Sequence, residues 1–201
     1  MRSMHHGLRK LSEVADLSAG HPFRTSLALE PAGPVRVVSM AHSIGDALAL
    51  DTVLPQIDFS GDVSRLQLEA GDLLFRPRGV STQAIYVESV VQPCILAAPL
   101  VRIRIKNPKQ TNGWYLHWLL NCPAVQRDIN AQARGSMIRM VSMDSLRNLQ
   151  IPVPPIRVQR EIAEVARLLR EERALSEALM EKNKAYAEQV LWAKVQEVST
   201  T

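Results

Sequence analysis

The 201-residue sequence is short of the features that most chemistry requires. Its two cysteines, Cys94 and Cys122, form no CxxC pair, which supports neither a zinc site nor a disulfide scaffold. Arginines interrupt the most apolar stretch, CILAAPLVRIRIK (94–106), so no segment reads as membrane-spanning. The opening MRSMHHGLRKLSEV has no apolar signal core, and a cytoplasmic protein is expected. No GxxxxGK[ST], GxSxG or HExxH motif occurs. There is no glycine-rich strand–turn–helix for a nucleotide, no Asn/Asp-Pro-Pro-Tyr run, and no pairing of carboxylates suited to two metals. The expectation is a protein that is not an enzyme and takes no cofactor and no metal.

What is present is a foldable chain with an uneven charge. Hydrophobic residues make up 46%, and the length suffices for one core plus an extension. The net charge of +4 comes from the middle of the sequence: residues 60–150 carry 11 basic and 6 acidic side chains, against 5 and 6 before them and 8 and 8 after. The excess is mostly arginine, whose planar donor fork suits phosphates and guanine edges. An ordinary basic surface is the plainer reading of the same numbers.

Periodicity divides the chain in two. Up to residue 154 it reads as short strands, loops and some helix. VRVVSM (35–40) is a compact β-branched strand; GDLLFRPRG (71–79) reads as turn, strand and loop; STQAIYVES (81–89) can pair back with it. Pro99 should break 94–106 into two strands. In VRIRIK, Arg102, Arg104 and Lys106 alternate with apolar residues, so a solvated basic face is expected there, with phosphate contact as the weaker alternative. The segment 111–133 changes to helical period, with Pro123 opening a second helix. Trp114 and Trp118 share a face of the first, and core packing is preferred to base stacking for them; His117 reads as structural. The run 133–154 reads as loop, strand, a short helix capped by Ser142 or Asp144, and a final extended strand.

Pro152, Pro154 and Pro155 then force extended backbone, and from residue 156 to about 195 there is neither proline nor glycine. A helix of roughly 60 Å is predicted at ~1.5 Å per residue. Ile162, Val165, Leu169, Leu179, Tyr186, Val190 and Ala193 form a heptad seam interrupted by Glu172, Ser176 and Asn183, while Leu168 and Leu175 widen it. Such a stripe needs a partner helix or must fold back on its own domain. The predicted fold is therefore α+β: a mixed, β-rich globular domain over residues 1–154, then a long C-terminal helix over 155–201 that acts as spacer and forms an intermolecular coiled coil.

Four segments resemble one family. LRKLSEVADLSAGHPF, LEAGDLLFRPRG, RGSMIRMVSMDSLRNLQIPVPP and PPIRVQREIAEVARLL are similar to successive motifs of the target recognition domain in the specificity subunit of type I restriction–modification systems. The likeness runs from about Leu8 to Val195; Val158 departs from the glutamate common before Gln159. The resemblance implies a non-catalytic subunit that reads double-stranded DNA and docks methyltransferase subunits, with a restriction subunit as a further partner. One domain and one helix resemble half of such a subunit. That implies a homodimer with antiparallel helices and a bipartite palindromic site, the proline segment fixing each domain's angle. The alternatives are a stand-alone DNA-targeting or regulatory protein, and an assembly module, both using the domain without methylation.

Loops are the expected DNA readers, because strands can hold them against base edges. Three clusters are candidates: Arg76, Arg78, Gly79, Ser81, Thr82 and Gln83; Gln132, Arg134, Gly135, Ser136 and Arg139; and His21, Arg24 and Thr25. For each, a salt bridge or phosphate contact competes with base readout. Partner contacts are expected at Ile162, Val165, Leu169, Leu179, Tyr186 and Val190.

Overall fold

A computed structural model describes residues 7–23, 33–42, 47–48, 53–78, 82–132 and 140–199. Its centre is a five-stranded sheet. In order across the sheet the strands are β2 (Ala15–Ala19), β9 (Val101–Ile105), β6 (Leu73–Arg76), β7 (Gln83–Val87) and β4 (Ala47–Leu48). Neighbours are antiparallel except β7 and β4. The hairpin expected between 71–79 and 81–89 is present, with Leu73 opposite Tyr86 and Arg76 opposite Gln83. Gly71 makes the turn that leads into β6 at φ +94, a left-handed conformation that only glycine adopts without strain.

The middle of the sheet is covered on both faces, so β6 and β7 bury most of both sets of side chains. Leu73, Phe75 and Ala84 face one core, with α1 (Leu11–Val14), α3 (Gly113–Asn121) and α4 (Pro123–Ala131). Leu74, Ile85 and Val87 face a second core with Leu96 and Leu100. Behind it lies a small sheet ordered β5 (Gln56–Ile57), β3 (Val35–Val38) and β8 (Cys94–Leu96). Gly20 lets the chain cross between these layers: a Cβ there would sit 2.5 Å from the Ala97 backbone.

The apolar side of VRIRIK is as expected, with Val101 and Ile103 buried. The basic side is not simply solvated. The loop after α2 (Val63–Leu66) folds across it, and Arg104 grips the buried Asp72 at 2.7 and 2.8 Å and Glu69 at 2.9 Å. Arg102 and Arg104 both donate to the Gln67 carbonyl, at 2.6 and 3.0 Å, and Lys106 donates to that of Ser12 at 2.7 Å. These bonds tie the loop to the sheet, so the face is bridged and only partly solvated, with Lys106 exposed and little of Arg104 left for phosphate.

The C-terminal part follows the sequence pattern. Pro123 opens α4; Ser142 caps α5 (Met143–Arg147) by accepting from the Ser145 amide at 3.0 Å; β10 (Gln150–Pro152) pairs antiparallel with β1 (Leu8–Lys10). After Pro154 and Pro155, α6 runs from Ile156 to Ser199, 44 residues or about 66 Å at ~1.5 Å per residue. Its first turns pack on α3 through Ile162 and Ala163. From Glu171 to Gln196 every residue is exposed.

Candidate nucleic-acid interface

Strand register decides where the candidate loops go. Ala19 and Phe75 both pair with Val101, and Arg76 pairs with Gln83. The end of β2, the end of β6 and the start of β7 therefore lie at one edge of the sheet. His21 follows the first, Arg76 and Arg78 close the second, and Thr82 and Gln83 begin the third. The bridge between Arg78 and Met140, with a 2.9 Å bond from the Val141 amide to the Pro77 carbonyl, brings the segment after residue 139 to the same place. One flank of each cluster thus reaches this edge, although 119 positions separate His21 from Met140 in the sequence. Gly79, Ser81, Arg134, Gly135, Ser136, Arg139, Arg24 and Thr25 lie outside the described residues.

The described members differ in what they offer. Arg78 and Gln132 are exposed, and Arg76 and Gln83 are half-buried. Thr82 is engaged: its hydroxyl donates to Gln126 at 2.6 Å, and the Gln126 amide donates to the Leu120 carbonyl at 2.6 Å. His21 is half-buried with ring contacts to Phe23 (4.8 Å) and Phe59 (5.0 Å), so it stiffens the loop base more than it presents an imidazole. The arrangement supplies guanidinium and amide donors on a rigid edge. Among the described residues no group of three His, Cys, Asp or Glu could hold a metal ion.

The rigidity comes from residues outside the three candidate clusters. Asn121, at the end of α3, accepts from the Ala84 amide at 2.9 Å and donates to its carbonyl at 2.8 Å, tying the helix to β7 as a further strand would. Gln159 is fully buried in the first turn of α6; it accepts from the Asn112 amide at 2.9 Å and donates to the carbonyls of Gln110 (2.9 Å) and Pro154 (2.7 Å). Further along, the Arg170 guanidinium lies 4.7 Å from the Trp114 ring centroid and pairs with Glu88, while Trp114 stacks on Tyr86 at 4.1 Å. Gln159 belongs to the PPIRVQREIAEVARLL motif and shares a helix face with Ala163, but nothing local in the sequence names its three partners. Trp114 packs partly against the core as expected, while Trp118 is 38% exposed. His117 is buried, with ring contacts to both Trp114 and Tyr86.

Beside the loop edge, α6 and α3 enclose a groove of about 710 Å³, lined by Thr82, Gln83, Trp118, Cys122, Leu169 and Arg173 among others. The expected partner residues Val165, Leu169, Leu179, Tyr186 and Val190 are exposed. Ile162 is half-buried on its own domain's core, so it is only partly available to another helix. Among the described residues no helix is long and apolar enough to cross a membrane.

Comparison with known structures gives the same fold. The S subunit of a type I restriction-modification system from M. genitalium is 17% identical with TM-score 0.53, covering 79% of this chain and 37% of its own. A structure described as the basis of complex assembly and conformational transition of the type I R-M system is 19% identical with TM-score 0.63, over 92% of this chain and 43% of that one. The HsdS subunit from Thermoanaerobacter tengcongensis is 21% identical with TM-score 0.56, over 86% and 39%. This chain thus spans less than half the length of each. No curated protein matches in sequence. The model of the type I restriction modification DNA specificity domain matches residues 7–179, and the chain belongs to that family.

Proposed function

We propose that this chain is a non-catalytic DNA-specificity half-subunit. Residues 1–154 read duplex DNA through the converged loops, and the helix over 155–201 spaces two such domains in a homodimer that reads a bipartite palindromic site. Methyltransferase subunits, with or without a restriction subunit, supply the chemistry. The observation that carries the reading is the convergence at one sheet edge of three loop flanks: the end of β2 before His21, the β6–β7 ends with Arg76, Arg78 and Gln83, and the segment entering at Met140. Such donors match the acceptor patterns of guanine and adenine and of phosphates. The proline segment and Gln159 hold that edge at a fixed angle to α6.

Selection from a random duplex pool, followed by titration at several salt concentrations, tests this. The expected result is enrichment of a two-part palindrome. Arg76→Ala or Arg78→Ala should relax one position at a cost of about 1–3 kcal/mol if it forks onto a base, or reduce the salt slope by about 1 if it meets phosphate. Absence of salt-dependent duplex binding at every condition would leave the chain an assembly module.

A further inference from the structure

The exposed stripe of α6 carries polar residues at fixed places, and they discriminate between pairings. We propose that a second copy of this chain packs antiparallel along α6 with Val165 opposite Val190, the two-fold axis passing between Glu177 and Ala178, and that its turn bearing Ala187 and Leu191 covers the groove beside Trp118. This deepens the homodimer reading and rests on it.

In this register the seam pairs Ile162 with Ala193, Val165 with Val190, Leu169 with Tyr186 and Glu172 with Asn183, whose amide can donate to the carboxylate. Only Ser176 opposite Leu179 is mixed. Sliding one heptad one way sets Glu172 against Val190, Ser176 against Tyr186 and Leu179 against Asn183, each repeated by symmetry. Sliding the other way sets Val165 against Asn183 and drives the partner's Val190 toward Val158, beside the turn that the buried Gln159 ties to its own domain. A parallel pair in register opposes the two Glu172 carboxylates, and like charges across a seam are unfavourable. The chosen register also sets Ala166 beside Ala187, two small residues that let the backbones approach. Ala166 and Leu169 line the groove, so the groove is continuous with the seam. Leu191, one turn beyond Ala187 on the same side and 67% exposed, then reaches the apolar side chain of Trp118.

Cysteine cross-linking tests the register, in a Cys122→Ser background with the buried Cys94 retained. The double variant Val165→Cys/Val190→Cys should be trapped as a dimer by oxidation or a short bismaleimide, and each single variant should not. Trapping of Glu172→Cys alone, trapping of Leu169→Cys/Leu179→Cys in preference, or a dimer that neither reagent traps through Val165→Cys/Val190→Cys would overturn the register and leave the homodimer standing. A wild-type chain that light scattering finds monomeric throughout would remove both. For the groove, alkylation of Cys122 should be lost in the wild-type dimer and recovered in a monomeric Leu169→Asp/Val190→Asp variant; equal labelling of the two would show the groove uncovered.

Discussion

Gln159 shows what one buried polar side chain does at a domain–helix joint. Its own amide is sealed from water, and it finds one N–H and two carbonyls at the joint as partners. An unpaired buried group costs about 1–3 kcal/mol, so Gln159→Leu should lower unfolding free energy by roughly 3 kcal/mol in urea titrations, although leucine fills similar space. Tyr115 makes a related bond, donating to the Pro152 carbonyl at 2.8 Å, and burial pushes its phenol up to about 12. Tyr115→Phe should cost about 1 kcal/mol at neutral pH. The sign above pH 10 follows from linkage: the unfolded phenol ionises first, so the wild type loses stability as pH rises from 10 through about 12. The gap between wild type and Tyr115→Phe should therefore narrow across that window, read by denaturant titration at stepped pH. Burial likewise lifts the Cys94 thiol to about 12, so alkylation of the folded monomer near pH 8 should spare Cys94 and modify Cys122.

At the scale of elements, α6 is attached at two levels about a dozen residues apart: hydrogen bonds at Gln159, and the stack of Arg170 on Trp114 on Tyr86. Arg170→Ala removes the upper level, a cation–π contact worth about 0.5–2 kcal/mol together with the Glu88 pair. Amide exchange should quicken over residues 163–173 and stay unchanged in β6 and β7; quickening throughout would mean that the stack supports the whole domain. Much of this layer was legible in the sequence. The β6–β7 hairpin, the break at Pro99, the helix restart at Pro123, the Ser142 cap and the proline-free length of α6 each follow from local rules. The roles of Arg102 and Arg104 did not, because their partners Gln67, Glu69 and Asp72 lie more than thirty residues away and alternation reports a face without its covering. Residue type and a place between strands mark the candidate loops one by one. Their convergence depends on β9 pairing with both β2 and β6, a non-local register that no window of sequence contains.

For the whole molecule the open quantity is distance. With Val165 opposite Val190, the two Gln159 anchors stand about 55 Å apart along the helix pair at ~1.5 Å per residue, and a shift of one heptad would change that by about 10 Å. A rigid separation makes the second half-site binding event intramolecular, which raises avidity by roughly 10²–10⁴ without any new contact when the spacing matches. The wild type should therefore bind a duplex with both half-sites far more tightly than one with a single half-site. Leu169→Asp/Val190→Asp should abolish that difference while leaving single-site affinity intact, since neither residue belongs to the loop clusters. Arg76→Ala, carried by both domains of the dimer, should weaken the single-site duplex and weaken the paired duplex by about the square of that factor. Measuring all six combinations by fluorescence anisotropy separates reading from spacing: a helix variant that weakens the single-site duplex as much as the paired one would place Leu169 in DNA contact, and the role of α6 as a spacer would fall.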